Sequence, residues 1–92
     1  MGRNEITKEV VFYGRVQGVN FRNQTCNMAR NLGLFGWVTN QPDGTVKMVV
    51  TGEREKIDEL ITFCITGIVR ANVERHEERL IQHTAFQDFS IV

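Results

Sequence analysis

The sequence has no long apolar run, no surplus of charge, a single proline and two cysteines, and each shortage removes a class of protein. No stretch approaches the ~20 apolar residues of a membrane-spanning helix. The opening residues Met1-Gly2-Arg3-Asn4-Glu5-Ile6 hold no apolar run for a signal peptide, and Ile6 stands where a myristoylation signal needs Ser or Thr. Eleven Lys and Arg are cancelled by eleven Asp and Glu. Nucleic-acid affinity comes largely from basic side chains that neutralise phosphates, so this balance points away from nucleic acid, and equally from an acidic membrane surface, as a principal partner. Cys26 and Cys64 form neither a CxxC pair nor a metal-ligand spacing. Both fall on helical patterns, which favours buried free thiols in a cytoplasmic protein.

What is present reads as one domain, residues 1–92, with an ordinary apolar fraction and no repeat or linker. Thr7 to Tyr13 alternates, Val10 and Phe12 on one face and Val11 and Tyr13 on the other, which predicts a strand. Arg22 to Leu32 turns helical and stops at Gly33, although three asparagines weaken the helix pattern. Strands follow at Phe35 to Asn40 and Thr45 to Thr51, and Gln41-Pro42-Asp43-Gly44 between them is turn chemistry, so the pair makes a β-hairpin. Glu53 to Thr66 carries Ile57, Leu60, Ile61, Cys64 and Ile65, the stripe of an amphipathic helix ended by Gly67. A strand from about Val69 to Glu78 and a last one at Phe86 to Ile91 complete the chain. The order βαββαβ predicts an α+β, ferredoxin-like split βαβ sandwich: a four- to five-stranded antiparallel sheet with two helices on one face. That plan alone fixes no function.

The chemistry concentrates in Gly14-Arg15-Val16-Gln17-Gly18-Val19-Asn20-Phe21-Arg22, which joins a strand to the start of a helix. Unpaired backbone N–H groups and the positive helix end favour an anion there. Gly14 and Gly18 permit a tight turn, Asn20 accepts left-handed geometry, and Arg22 offers a fork suited to two phosphate oxygens. The stretch reads as a phosphate cradle without the Walker lysine or a nucleotide fingerprint.

Gly14 to Arg22 resembles the first signature of the acylphosphatase family, and a second follows in Gly36-Trp37-Val38-Thr39-Asn40 with Asp43-Gly44-Thr45-Val46. Gly52, Ala71, Val73 and the closing Phe89-Ser90-Ile91 are also similar, so the resemblance spans nearly the whole chain. It implies that the loop Arg15, Val16, Gln17, Gly18, Val19, Asn20 and Phe21 binds phosphate through backbone N–H groups. It further implies that Arg22 grips the phosphate and Asn40 holds the attacking water. The implied reaction is hydrolysis of an acyl phosphate to carboxylate and inorganic phosphate, with no cofactor, no metal and no covalent intermediate. The expected partners are a small acyl phosphate and inorganic phosphate or another oxyanion as product or inhibitor. Nothing in the pattern demands a dimer, so a monomer is expected. The family usually has glycine at position 20; Asn20 must send its side chain either into the loop or against the phosphate. Asn23 likewise stands where relatives often carry an aromatic residue.

Other features have plainer readings. Trp37 reads as a packing residue, His76 and His83 as solvated groups, and Glu74 to Arg79 as an exposed strand with its turn. Arg22 and Asn40 could be a helix-capping charge and a turn amide, but their joint placement in two signatures favours function. Three competing functions are set against the enzyme: an anion-binding module that has lost turnover, an RNA binder of the same topology, and a relative of the acylphosphatase-like part of larger carbamoyl-transfer proteins. The RNA reading is weak because Thr45 to Thr51 holds no aromatic residue.

Overall fold

Alternation near the N-terminus produces a strand longer than its pattern. In the computed structural model, which describes residues 5–92, β1 runs Glu5–Arg15. The reading of Met1 to Asn4 lies outside the described residues. The remaining elements are α1 (Phe21–Asn31), β2 (Phe35–Asn40), β3 (Val46–Glu53), α2 (Arg54–Thr66), β4 (Asn72–Ile81) and β5 (Phe89–Ile91). The sheet order is β4-β1-β3-β2-β5. The ferredoxin-like plan expected from the sequence is therefore the one the chain forms. The sheet is mixed rather than wholly antiparallel, because β5 runs parallel to β2, with Gly36 opposite Phe89 and Val38 opposite Ile91.

The period-2 pattern decides which face packs. Val10 and Phe12 are fully buried, and β1 is held antiparallel between β3 and β4. The helices supply Phe21, Cys26 and Ala29 from α1 and Ile57, Leu60, Ile61 and Cys64 from α2 to the same core cluster. Each large side chain fully buried there contributes about 1.5–3 kcal/mol. Both cysteines are free and buried, and burial pushes the Cys64 thiol up to about 12, so it stays protonated and inert.

The opposite face is spanned by the connection from β4 to β5. Thr84 donates its N–H to the Thr7 hydroxyl at 2.9 Å and accepts from the Thr51 hydroxyl at 2.7 Å. Edge strand β4 alternates charges that pair back across the sheet: Arg79 meets Glu9 at 2.8 Å, and Glu9 also meets Lys47 of β3 at 3.0 Å. Such charges blunt an edge against pairing with other chains. The whole of Glu74 to Arg79 lies in this strand, without the expected turn. His76 also differs from the expectation of a solvated group: its side chain is 30% exposed, stacks on Phe12 and meets Glu78 at 2.9 Å. It faces the packed side because its register partner is Phe12.

Candidate active site

The β1–α1 loop, the start of α1 and the ends of β2 and β5 meet around one cleft of about 360 Å³. The local sequence explains how β1 leads into it. The register between β1 and β4 shifts between Tyr13 and Gly14, where the backbone takes φ 119°. A Cβ at Gly14 would run into the backbone oxygen of Asn72, so only glycine fits this bulge. Beyond it, Val16 and Val19 are each 1% exposed and Phe21 2%. The Phe21 ring packs on Phe12 with centroids 5.2 Å apart. Three apolar anchors thus hold the loop onto the core.

Gly18 and Asn20 both take left-handed geometry, at φ 74° and 63°. For a non-glycine residue this costs about 1–2 kcal/mol, least for Asn and Asp. Asn20 is the N-cap of α1, yet its side chain makes no capping hydrogen bond to the helix backbone. Its Oδ1 instead accepts from Asn23 Nδ2 at 2.9 Å, so the side chain is tied to the helix's first turn. That turn contains no acidic residue. The first-turn N–H groups and the positive helix end are therefore not answered by a side-chain cap or a carboxylate from the turn.

The β2–β3 turn begins directly after Asn40, which lines the cleft from the end of β2. Gln41 N–H donates to Thr45 O at 2.9 Å and Gly44 N–H to Gln41 O at 3.1 Å. Asp43 accepts from the Thr45 hydroxyl at 2.6 Å and from the Thr45 N–H at 3.0 Å. Those two bonds, the hydroxyl's first, hold the Asp43 carboxyl below the usual carboxylate range. Asp43 is thus spent on the turn and is a poor general base at neutral pH. Gln17 fastens the β1–α1 loop to this turn: its Nε2 donates to Gln41 O and to Thr45 O, each at 2.9 Å.

Asn40, the last residue of β2, lines the cleft together with Arg22, Gly18 and Asn20. Its Oδ1 is buried and is the one such side-chain oxygen or nitrogen without a hydrogen-bond partner among the described residues. Arg22 is half-buried and forms no ion pair among the described residues. Val16 and Phe21 also reach the cleft wall, whereas Arg15, Gln17 and Val19 do not. Arg15 is exposed at the end of β1, Gln17 is engaged with the turn, and Val19 is in the core. Two lining residues, Asn23 and Ile91, were not among the expected site residues. Asn23 follows Arg22 directly and could have been suspected from that neighbourhood. Ile91 carries no local signal, since it arrives through the pairing of β5 with β2.

The sequence model of the family described as Acylphosphatase matches residues 8–91. An acylphosphatase of Thermoplasma volcanium is 46% identical over 85 residues, covering 92% of this chain and 94% of that protein. The structure of an acylphosphatase from Coxiella burnetii superposes with a TM-score of 0.93 at 34% identity, covering 98% of this chain and 95% of that one. An acylphosphatase from Bacillus subtilis is similar with a TM-score of 0.90 at 27% identity, covering 95% and 98% of the two chains.

Proposed function

The chain belongs to the acylphosphatase family and is an enzyme of acyl phosphate hydrolysis, and on that premise we propose a mechanism in which the β1–α1 loop and Arg22 hold the phosphoryl group while Asn40 aligns water. The observation that carries it is the buried, unpartnered Asn40 Oδ1 in a cleft shared with Arg22. Leaving such an oxygen unsatisfied costs about 1–3 kcal/mol, which suits a group matched to a partner that arrives with the substrate.

The water oxygen bonds to phosphorus in line with the departing acyl oxygen. The P–O bond to the acyl group breaks, its electron pair leaves on the carboxylate, and the water's proton passes to a phosphate oxygen or to solvent. A carboxylate leaves readily, so positioning and charge stabilisation supply most of the catalysis. The loop N–H groups and the Arg22 guanidinium stabilise the phosphoryl oxygens, and Asn40 Oδ1 accepts from the water. No metal and no covalent enzyme intermediate enter the scheme. The loop from Arg15 to Phe21 acts through its backbone, its apolar side chains serving as anchors. We extend the reading to a monomeric, one-domain cytoplasmic protein that also binds inorganic phosphate and does not bind nucleic acid. The neutral charge balance and the two buried free thiols support it.

Benzoyl phosphate hydrolysis, followed by ultraviolet absorbance with chelator present, tests the roles. Asn40→Ala should lower kcat by about 100-fold while inhibition by inorganic phosphate stays nearly unchanged. Full activity in a folded Asn40→Ala protein would refute the water-aligning role. Because an amide does not titrate and arginine stays charged, the rate should be nearly flat from mildly acidic to neutral pH. A profile that follows a histidine, abolished by His76→Gln, would point to a different mechanism.

A further inference from the structure

The Asn40 amide has to be aimed, yet among the described residues its buried Oδ1 has no hydrogen-bond partner to hold it. Its aim therefore depends on the main chain at the end of β2. On the β3 side that main chain is fixed, since the Gln41 N–H donates to Thr45 O at 2.9 Å. The β5 side differs. A parallel ladder uses every second residue of a strand. Two of its rungs here are Gly36 N–H to Asp88 O at 2.9 Å and Val92 N–H to Val38 O at 3.0 Å. The next rung in that series is Asn40 N–H to Val92 O, and it does not form among the described residues. Val92 O accepts instead from the Thr39 hydroxyl, at 2.7 Å. The same hydroxyl lies 3.4 Å from Asn40 O. A side chain thus closes the pairing where the backbone ladder stops. It does so one residue before Asn40 and one residue after Ile91, both of which line the cleft.

We propose that the Thr39 hydroxyl is a positioning group for the reaction: by holding Val92 O it seats the β5 segment on β2 and fixes the aim of the Asn40 amide beside Ile91. This rests on the reading that Asn40 aligns the attacking water, and adds the group that sets its alignment. Thr39 itself does not line the cleft, so it acts through Asn40 and not on substrate. Valine has the shape and strand preference of threonine without the hydroxyl. Val92 is exposed, so water takes over its carbonyl when the hydroxyl is lost, and stability changes little. Alignment is more sensitive, because a misplacement of about 1 Å can cost about 100-fold in rate. Loss of the hydroxyl therefore shows in turnover before it shows in stability.

The test is a double-mutant cycle on benzoyl phosphate hydrolysis. Thr39→Val should lower kcat by about fivefold, with KM, inhibition by inorganic phosphate and Tm nearly unchanged. Thr39→Ser, which keeps the hydroxyl, should stay within about twofold of the wild type. Thr39→Ala should repeat the loss without valine's bulk, and it carries the test if Thr39→Val does not fold. In an Asn40→Ala background Thr39→Val should cost less than about twofold more, since the amide it aims is gone. A wild-type kcat in both hydroxyl-free variants would overturn the inference. So would an equal loss in both backgrounds, or phosphate inhibition that weakened in step with kcat, because either would mean a general loosening of the cleft. Full activity in Asn40→Ala would remove the water-aligning role, and the inference with it; loss there without loss in Thr39→Val overturns the inference alone.

Discussion

Two strand-to-helix junctions occupy corresponding places in the βαβ halves of this fold, β1 to α1 and β3 to α2, and they are built in opposite ways. At the second, β3 ends at Glu53 and α2 begins at Arg54 with no residue between, and Glu53 takes ordinary extended geometry at φ −67°. At the first, residues 16–20 intervene and the N-cap is left-handed. Neither helix has a side-chain cap. Both first turns carry cations, Arg54 and Lys56 in α2 and Arg22 in α1, but α2 also has Glu55 to answer the helix dipole, whereas α1 has no acid there. A cation at that place is unfavourable by about 0.3–1 kcal/mol until an anion joins it. The lesson is that the junction proposed to hold an oxyanion departs from the plain one in three ways: an inserted loop, a left-handed N-cap and a first-turn cation with no acid beside it. Departures from local rules gather where function needs them.

Removing the cation breaks the contrast most severely. Arg22→Gln should cut kcat/KM by about 100-fold or more and abolish the rise in Tm that inorganic phosphate gives the wild type. Its Tm without phosphate should be equal or slightly higher, and a variant that kept full activity would place the site elsewhere. Next comes the clasp that only the first junction possesses. Gln17→Leu removes both hydrogen bonds of the Gln17 side chain to the β2–β3 turn, and on the proposed mechanism that side chain positions the loop rather than touching substrate. It should lower kcat by about tenfold with inhibition by phosphate little changed, and lower unfolding free energy in urea by about 1–2 kcal/mol. If phosphate inhibition weakened as much as kcat fell, the clasp would be shaping the cradle instead of the Asn40 alignment. The smallest effect belongs to the plain junction: Glu55→Arg should cost about 0.3–1 kcal/mol of stability, measured by urea titration, and leave turnover unchanged. Phosphate protection newly acquired through α2 in that variant would show that the inserted loop is dispensable.

Much of the fold could be read directly because its signals are local. The limits of β2, Phe35–Asn40, are those expected, and both helices begin within one residue of expectation. Turn chemistry at Pro42-Asp43-Gly44 placed the hairpin for the same reason. β4 was harder: it runs Asn72–Ile81 rather than Val69 to Glu78, since a charged edge strand lacks the alternation that marks a buried face. β5 is shorter than expected, Phe89–Ile91, because the residues before it cross the sheet, where Thr84 bonds Thr7 and Thr51. Of the residues expected from the two signatures, Val16, Gly18, Asn20, Phe21, Arg22 and Asn40 line the cleft, whereas Arg15, Gln17 and Val19 do not. The roles of Gln17 and Asn23 side chains were not legible, nor was the wall supplied by Ile91.

By itself the sequence determined the order of elements, the faces of its strands and helices, and the two stretches that supply most of the cleft's lining. Each of these depends on residues within a turn or a few strand positions of one another, where periodicity and backbone preference act directly. Tertiary structure alone decided that Gln17 would hold groups 24 and 28 residues away, that Asn40 Oδ1 would be buried without a partner, and that β5 would close the cleft as a parallel strand. The physical reason is that a hydrogen bond or a burial between distant segments is set by how the whole core packs, and no local pattern encodes it.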